Sequence, residues 1–262
     1  MKQLIIVLVA ICVICFGSAT VAAEETTTQQ TTVKQPKKVL NGWHGKRYYV
    51  NGKYVVGKKK IKKKYYVFGK NGKVRKKTTK IGKTTYYLNS KSKLEAYKTK
   101  KTYYFPSGKK MKSYQKNDYL TFCKARKIVK RITKKKMSKK KKLSICFNWV
   151  RRKPYLTFRH FYPKKGWMAT YANDHFKRGG GDCHADGSAL AYLARAIGYK
   201  KVYACLDCNG ISNQGHCWTE INGRVFDPLF IERGKRYKNY NATYHNFGLS
   251  AVRKFRVAKY YE

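Results

Sequence analysis

Acidic residues are scarce in this chain of 262 residues. It has 12 Asp and Glu residues against 61 Lys and Arg residues, which gives a formal net charge of +49. Self-repulsion on this scale opposes a compact fold unless a polyanion balances it. The composition therefore indicates an anionic partner, which could be a nucleic acid, a membrane surface or a cell-wall polymer.

Long apolar runs are also missing, with one exception near the N-terminus. Residues 4–16 are apolar and uncharged, they follow the basic start Met1-Lys2, and they precede small residues that end in Ala22-Ala23. This pattern is typical of a secretory signal peptide, and the run is too short to span a bilayer comfortably. We expect residues 1–23 to be a signal peptide and the mature chain to have no stable membrane span. Export argues against nucleic acid as the partner.

Large apolar residues are almost absent from residues 24–40, which are rich in Thr, Gln and Lys. Such a segment cannot bury a core, so we expect a flexible linker.

Tyrosine pairs recur through residues 41–112. Consecutive pairs start 17, 21 and 17 residues apart, and each is followed by a turn-prone stretch such as Asn51-Gly52. Short aromatic strands separated by such turns predict β-hairpins, and their regular recurrence predicts a stacked array. We therefore expect an all-β array of hairpin repeats over residues 41–112.

This array resembles the cell-wall-binding repeats of Gram-positive surface proteins, which have a Gly-Trp start and a Tyr-Tyr centre. Gly42-Trp43 and the first Tyr pair match one unit. The resemblance implies an anionic wall polymer, teichoic acid or peptidoglycan, as partner. Some relatives bind choline in aromatic cages, but Lys replaces Trp in later units here. A basic spacer without a ligand is the alternative. The candidate wall-binding residues are Trp43, Tyr48, Tyr49, Tyr65, Tyr66, Tyr86, Tyr87, Tyr103 and Tyr104.

The pattern becomes helical after residue 113. Apolar residues from Phe122 to Ile132 recur at helical spacing, and a second helical stretch around Leu143 to Val150 ends before Pro154. We expect residues 113–262 to form a separate domain that begins with these two helices.

Cys183 follows a Gly-Gly-Gly-Asp stretch and precedes an apolar helical stripe that ends at Gly198. The cysteine is therefore predicted at the start of a buried helix. There the helix dipole lowers a thiol pKa, and free backbone N–H groups can stabilise an oxyanion. The alternative at this point is a buried, inert cysteine.

Asn222-Gly223 predicts a two-residue turn between two strands. That turn pairs Ile221 with Arg224, and it places His216, Trp218 and Asp227 on one face of the hairpin. His216 and Asp227 become diagonal neighbours that long side chains can bridge. Cys217 faces the opposite side, which argues against Cys217 as the nucleophile.

The ordered set of Cys183 at a helix start, His216-Cys217-Trp218 on a strand and Asp227-Pro228 on the next strand resembles the transglutaminase-like superfamily. The resemblance implies a papain-like α+β domain with a Cys183–His216–Asp227 catalytic triad, Trp218 as a substrate-binding residue, and no cofactor or metal. It also implies acyl transfer from a peptide or protein amide, either to water or to an amine. We favour hydrolysis or peptide transfer at the wall.

Two alternatives stay open. Cys205 and Cys208, with Cys217 and His184, have zinc-ligand spacing in part, and Cys205-x-x-Cys208 is also a redox or disulfide pattern. The whole chain could instead be a wall-binding surface protein with a catalytically silent domain. The single histidines His160, His175 and His245 are expected to be surface or core residues.

Overall fold

The computed structural model describes residues 39–208, 215–230 and 238–258. The predicted signal peptide and nearly all of the predicted linker lie outside these residues. The described part is a mixed α+β protein with antiparallel sheets, so the coarse fold class expected from the sequence is confirmed.

The helices of the described residues are α1 (Ser113–Ile132), α2 (Lys139–Arg151), α3 (Trp167–Arg178), α4 (Cys183–Ile197) and α5 (Tyr244–Phe247). The strands of the N-terminal part are β1 (Gly42–His44), β2 (Arg47–Val50), β3 (Lys53–Tyr54), β4 (Gly57–Ile61), β5 (Lys64–Phe68), β6 (Thr79–Ile81), β7 (Thr84–Leu88), β8 (Leu94–Thr99) and β9 (Thr102–Tyr104). The strands of the C-terminal part are β10 (Val202–Leu206), β11 (Cys217–Ile221), β12 (Arg224–Phe226), β13 (Tyr240–Ala242) and β14 (Arg253–Arg256). None of the described helices combines the length and the apolar character needed to cross a bilayer.

The predicted hairpins are present. The strand pairs β1–β2, β4–β5, β6–β7 and β8–β9 are antiparallel, and each Tyr pair lies on the second strand of its hairpin. The tight turns inside the hairpins contain a residue with positive φ: Gly45 (58°), Lys62 (52°), Gly82 (55°) and Lys100 (53°). Lysine rarely adopts this conformation, so two of the four turns carry no turn signal in the sequence.

Neighbouring hairpins cover one another's aromatic faces. The ring of Trp43 in the first hairpin lies 5.3 Å from that of Tyr66 and 5.6 Å from that of Phe68, both in the second. Lys58 of the second hairpin places its ammonium 4.6 Å from the ring centre of Tyr97 on β8. These contacts agree with the stacked array expected from the repeats.

The sheet β6–β9 also packs against α1. Tyr87 and Tyr103 lie 5.9 Å and 6.5 Å from the ring of Tyr119. Glu95 of β8 makes a bidentate ion pair with Arg126 of α1, with N–O distances of 2.5 and 2.6 Å. Residues 41–112 and 113–262 therefore share a hydrophobic core across the predicted domain boundary.

Helix α4 is the centre of the C-terminal half. Its residues Cys183 to Arg195 are all buried, and α1, α2 and α3 pack around it. Leu190 and Leu193 are fully buried, and a leucine side chain contributes about 1.5–3 kcal/mol when it leaves water. Helices α1, α2 and α4 agree with the sequence prediction, whereas α3 was not predicted.

A five-stranded antiparallel sheet with the order β13-β12-β11-β10-β14 lies against α4. Thr219 of β11 donates its hydroxyl to the carbonyl of Gly187 on α4 over 2.7 Å. A second, smaller apolar cluster includes Trp218, Val225 and Phe247. The packing of α4 on β11 brings the start of the helix to the end of the sheet where His216 and Asp227 lie.

Candidate active site

Three glycines allow the chain to enter α4. A β-carbon on Gly180 would stand 2.3 Å from the carbonyl oxygen of Pro154, and one on Gly181 would stand 2.2 Å from the β-carbon of Ala185. Both distances are far too short for any other residue. Asp182 then caps the helix, because its carboxylate accepts the N–H of Ala185 over 2.9 Å. Cys183 is thus the first residue of α4, as predicted.

The thiol of Cys183 is largely buried, with 8% of the residue exposed. Its Sγ lies 3.5 Å from Nδ1 of His184 and 3.9 Å from the carbonyl oxygen of Gly215. Burial alone would raise the thiol pKa, but hydrogen bonds from His184 and His216 outweigh it and lower the pKa of Cys183 to about 7. A substantial fraction of this sulfur is therefore thiolate near neutral pH.

The predicted hairpin register is confirmed. Ile221 pairs with Arg224 and Thr219 with Phe226, so continuation of the register sets Trp218 opposite Asp227. Nε2 of His216 is hydrogen-bonded to Oδ2 of Asp227. Burial opposes the charge on His216, yet its bonds to Asp227 and Cys183 prevail and raise the pKa of the imidazole to about 10. The structure therefore brings Cys183, His216 and Asp227 together.

Backbone contacts fix both members of the His–Asp pair. Asp227 is fully buried, and its Oδ1 accepts the N–H groups of Leu229 at 3.0 Å and Phe230 at 3.2 Å. The N–H of His216 donates to Oδ1 of Asp207 over 2.6 Å. Oδ2 of Asp227 therefore remains available to the imidazole of His216, and this hydrogen bond orients the ring.

Trp218 does not lie where the sequence prediction requires. It is fully buried in the smaller apolar cluster, and its ring stacks against that of His216 with centres 6.1 Å apart. A substrate in the cleft cannot reach a side chain without exposed surface. Direct substrate contact by Trp218 therefore disagrees with the structure, which gives the residue a supporting position behind His216.

Cys217 faces α4, on the side of β11 opposite Trp218. A β-carbon on Gly187 would stand 3.1 Å from its Sγ. Burial raises its thiol pKa well above the ordinary value. The expectation that Cys217 points away from the triad face agrees with this position.

His184 is the site residue that the sequence interpretation missed, since it was considered only as a possible zinc ligand. Its Nδ1 lies 3.5 Å from the Sγ of Cys183. Its ring stacks on that of Phe161 with centres 3.7 Å apart and an angle of 17°. The only sequence signal is its adjacency to Cys183, because Phe161 belongs to an irregular segment.

A cleft of about 340 Å³ opens at the thiol. One wall is the segment that follows α2, where Tyr155 is 58% exposed and forms a parallel bridge with Gly181. The remaining wall comes from Gly215, His216 and Leu229. A separate cavity of about 360 Å³ is lined by residues such as Tyr114, Trp167 and Phe255, and it carries no thiol or imidazole among its described lining residues.

The zinc alternative has no geometric support. Cys205 pairs with Trp218 and Leu206 with Cys217, which places the sulfur atoms of Cys205 and Cys217 on opposite faces of the sheet. Among the described residues, no three His, Cys, Asp or Glu side chains are grouped so that they could hold a metal ion. All six cysteines of the described part are free thiols.

The candidate wall-binding aromatics divide into two groups. Trp43 is 42% exposed and the Tyr pairs are half-buried. Tyr87 and Tyr103 pack against the core around α1, and burial and the hydrogen bond to Tyr103 raise the pKa of Tyr87 to about 12. These two tyrosines are partly buried, and their contact with the wall stays a prediction. The other candidate wall-binding aromatics do not take part in this packing against α1.

Comparison with known proteins adds no family assignment. No protein-family model matches the chain, and no similar sequence was found among curated proteins.

Proposed function

We propose that this chain is a secreted, wall-associated thiol enzyme that cleaves or transfers an amide acyl group. The observation that carries this proposal is the meeting of Cys183, His216 and Asp227 where a buried helix begins. A thiol with a lowered pKa beside an imidazole that a carboxylate orients is the arrangement of an activated nucleophile.

In this mechanism, the thiolate of Cys183 attacks the amide carbonyl, and a sulfur–carbon bond forms. Ala185 donates its N–H to Asp182, but the N–H groups of Cys183 and His184 at the start of α4 have no acceptor within the helix, so they can stabilise the oxyanion. His216 gives its proton to the leaving amine as the carbon–nitrogen bond breaks. Water or an amine then releases the acyl group from the thioester, and His216 accepts a proton from it.

We further propose that residues 113–262 form a papain- or transglutaminase-like domain. Three features support this assignment: a nucleophile at the start of a buried central helix, a hairpin that carries His216 and Asp227, and an antiparallel sheet packed on that helix. Chain order supports it too, because the cysteine, the histidine and the aspartate follow one another in the order of that superfamily.

The hairpins supply the link to the wall in this proposal. Residues 57–64 contain six lysines, and the lysines of β4 are exposed. An anionic polymer such as teichoic acid would balance this charge. The wall association and the signal peptide are both inferred from the sequence.

The test is mass spectrometry of purified Gram-positive walls and surface proteins after incubation with the protein, with Cys183→Ala as the matched control. Hydrolysis should give an acid and an amine (or ammonia) whose masses sum to that of the substrate plus one water. An added primary amine such as cadaverine should take the place of the ammonia or amine that leaves the substrate if the enzyme transfers the acyl group. Identical spectra for the two proteins would instead favour a catalytically silent wall-binding protein.

A further inference from the structure

Cys183 is in contact with more than one imidazole. Its Sγ lies 3.5 Å from Nδ1 of His184, and His216 is hydrogen-bonded to it as well. Each imidazole has its own carboxylate: Oδ2 of Asp182 lies 3.9 Å from Nδ1 of His184, and Asp227 is bonded to His216. The start of α4 thus carries a second carboxylate and imidazole beside those of the triad.

The ring of His184 is held in place by aromatic contacts. Phe161 stacks on it at 3.7 Å, and the rings of Tyr171 and Trp167 lie 5.6 and 6.2 Å away. Only 4% of its side chain is exposed. Its Nε2 is buried and has no hydrogen-bond partner among the described residues. The ring therefore directs its single engaged nitrogen, Nδ1, towards Cys183 and Asp182.

Charged groups on the neighbouring helices and strands affect the protonation of His184. Burial opposes the protonated ring, but the nearby carboxylate of Asp182 and the contact with Cys183 prevail and raise the pKa of His184 to about 9. The titratable and charged groups that face Cys183, His184 and their carboxylates include Tyr155, Arg159, His160, Tyr171, His175, Asp182, Asp186, His216, Cys217 and Asp227. Among these, the imidazoles of His184 and His216 interact directly with the sulfur.

We infer that His184 is a second catalytic residue, which keeps Cys183 as a thiolate while His216 alone transfers the proton. This inference rests on the proposed function. During acylation the sulfur–carbon bond forms, the carbon–nitrogen bond breaks, and the proton of His216 leaves with the amine. His184 keeps its proton throughout, and its charge is matched by Asp182. A single imidazole would have to serve both as counterion of the thiolate and as acid for the leaving group.

The test separates the two roles. His184→Phe preserves the stack on Phe161 and removes the nitrogen, and His184→Asn preserves a donor near the position of Nδ1 without charge. Asp182→Asn keeps a good helix cap and removes the carboxylate. The full-length proteins are treated with iodoacetamide at pH values from 5 to 11, and mass spectrometry measures the labelled fraction of the Cys183 peptide. Turnover of wall substrate is measured over the same pH range.

We expect the His184 and His216 variants to affect labelling and turnover differently. In His184→Phe, labelling at pH 7 should fall about fivefold, which is the loss of thiolate when a pKa of about 7 rises by one unit, and both labelling and turnover should recover at alkaline pH. His184→Asn and Asp182→Asn should show smaller shifts in the same direction. His216→Ala should retain part of the neutral-pH labelling but should not regain turnover at any pH.

Two outcomes would overturn the inference. One is a His184→Phe labelling profile that coincides with that of the wild type, while His216→Ala removes the neutral-pH thiolate. The other is a turnover loss in His184→Phe that alkaline pH does not restore. By contrast, wild-type protein that shows the His184-dependent labelling but turns over no amide would support the thiolate role and refute the proposed function.

Discussion

Oδ1 of Asp186 on α4 lies 2.7 Å from Nδ1 of His175 on α3, and both side chains are buried. The pair joins the two helices one turn below the nucleophile. Burial raises the pKa of Asp186 to about 6, although the bond to His175 acts in the opposite direction. The sequence interpretation treated His175 as an isolated histidine, so this pair is a result of the structure alone.

The pair predicts a pH-dependent stability. Because the folded-state pKa of Asp186 is raised, the folded state holds its proton more tightly than the unfolded chain does. The stability that comes from the protonated form is fully present below about pH 4 and is lost as pH rises to about 6. In a Cys183→Ala background, the free energy of unfolding of Asp186→Asn minus that of the parent should therefore increase by roughly 2–3 kcal/mol from pH 4 to pH 7. Urea denaturation across this range is the measurement, and parallel curves for the two proteins would refute the shift.

The triad predicts an order of effects on turnover. Cys183→Ala and His216→Ala should each reduce turnover to background, roughly 10³-fold or more, because each takes part in bond making. Asp227→Asn should retain more activity than either, since the aspartate orients the ring without exchanging bonds. Cys217→Ala is the matched control, because its thiol faces α4, and turnover should be nearly unchanged. If Cys217→Ala abolished turnover while Cys183→Ala did not, the assignment of the nucleophile would be wrong.

The close contact between α4 and β11 predicts that Gly187 is required for stability. A β-carbon there would stand 3.1 Å from Sγ of Cys217 and 3.2 Å from two backbone atoms of β11. Gly187→Ala should lower the free energy of unfolding by about 1–3 kcal/mol, although alanine favours a helix by about 1 kcal/mol over glycine. Adding Cys217→Ala should restore part of the loss, because it removes the sulfur but leaves the backbone contacts. A Gly187→Ala protein as stable as the parent in thermal and urea unfolding would contradict this packing.

The hairpins predict wall binding that depends on salt. Full-length Cys183→Ala protein should sediment with Gram-positive walls at low salt and be released by about 1 M NaCl, where the Debye length is about 3 Å. Choline at constant ionic strength should not release it, and Trp43→Ala should still bind. Walls stripped of teichoic acid are the control and should bind less. Release by choline together with loss of binding in Trp43→Ala would favour an aromatic cage, and no sedimentation at low salt would favour a spacer.

The parts of the structure that the sequence predicted are those with strong local signals. Asn222-Gly223 determined the register of β11 and β12, and Gly198 marked the end of α4, where it adopts a φ of 109°. Since the side chains of a hairpin alternate, the register was enough to place His216 and Asp227 on one face. The His216–Asp227 pair therefore followed from local signals, whereas the approach of Cys183 to this pair depends on the packing of α4 on β11.

The parts that the sequence did not predict depend on contacts between distant residues. The buried face of α3 includes Asp174, which pairs with Arg159 at 2.7 Å, and His175, so its pattern does not appear apolar. His184 matters because Phe161 orients it, and nothing in the sequence links the two. The resemblance implied substrate contact by Trp218, and the face that it shares with His216 does not distinguish a cleft from a buried cluster.

The packing of the last hairpins against α1 has a consequence for the reach of the proposed active site. Glu95 is paired with Arg126, and Tyr87 and Tyr103 pack on Tyr119, so this sheet is joined to the C-terminal half by direct contact and not through a free tether. A flexible tether would let an enzyme sample a volume around its anchor, with an effective concentration set by tether length. Here the position of the cleft is set by the fold instead. A wall polymer held by the hairpins would present to Cys183 only the amides that lie at one fixed distance along it, and the spacing of modified sites on the wall would record that distance.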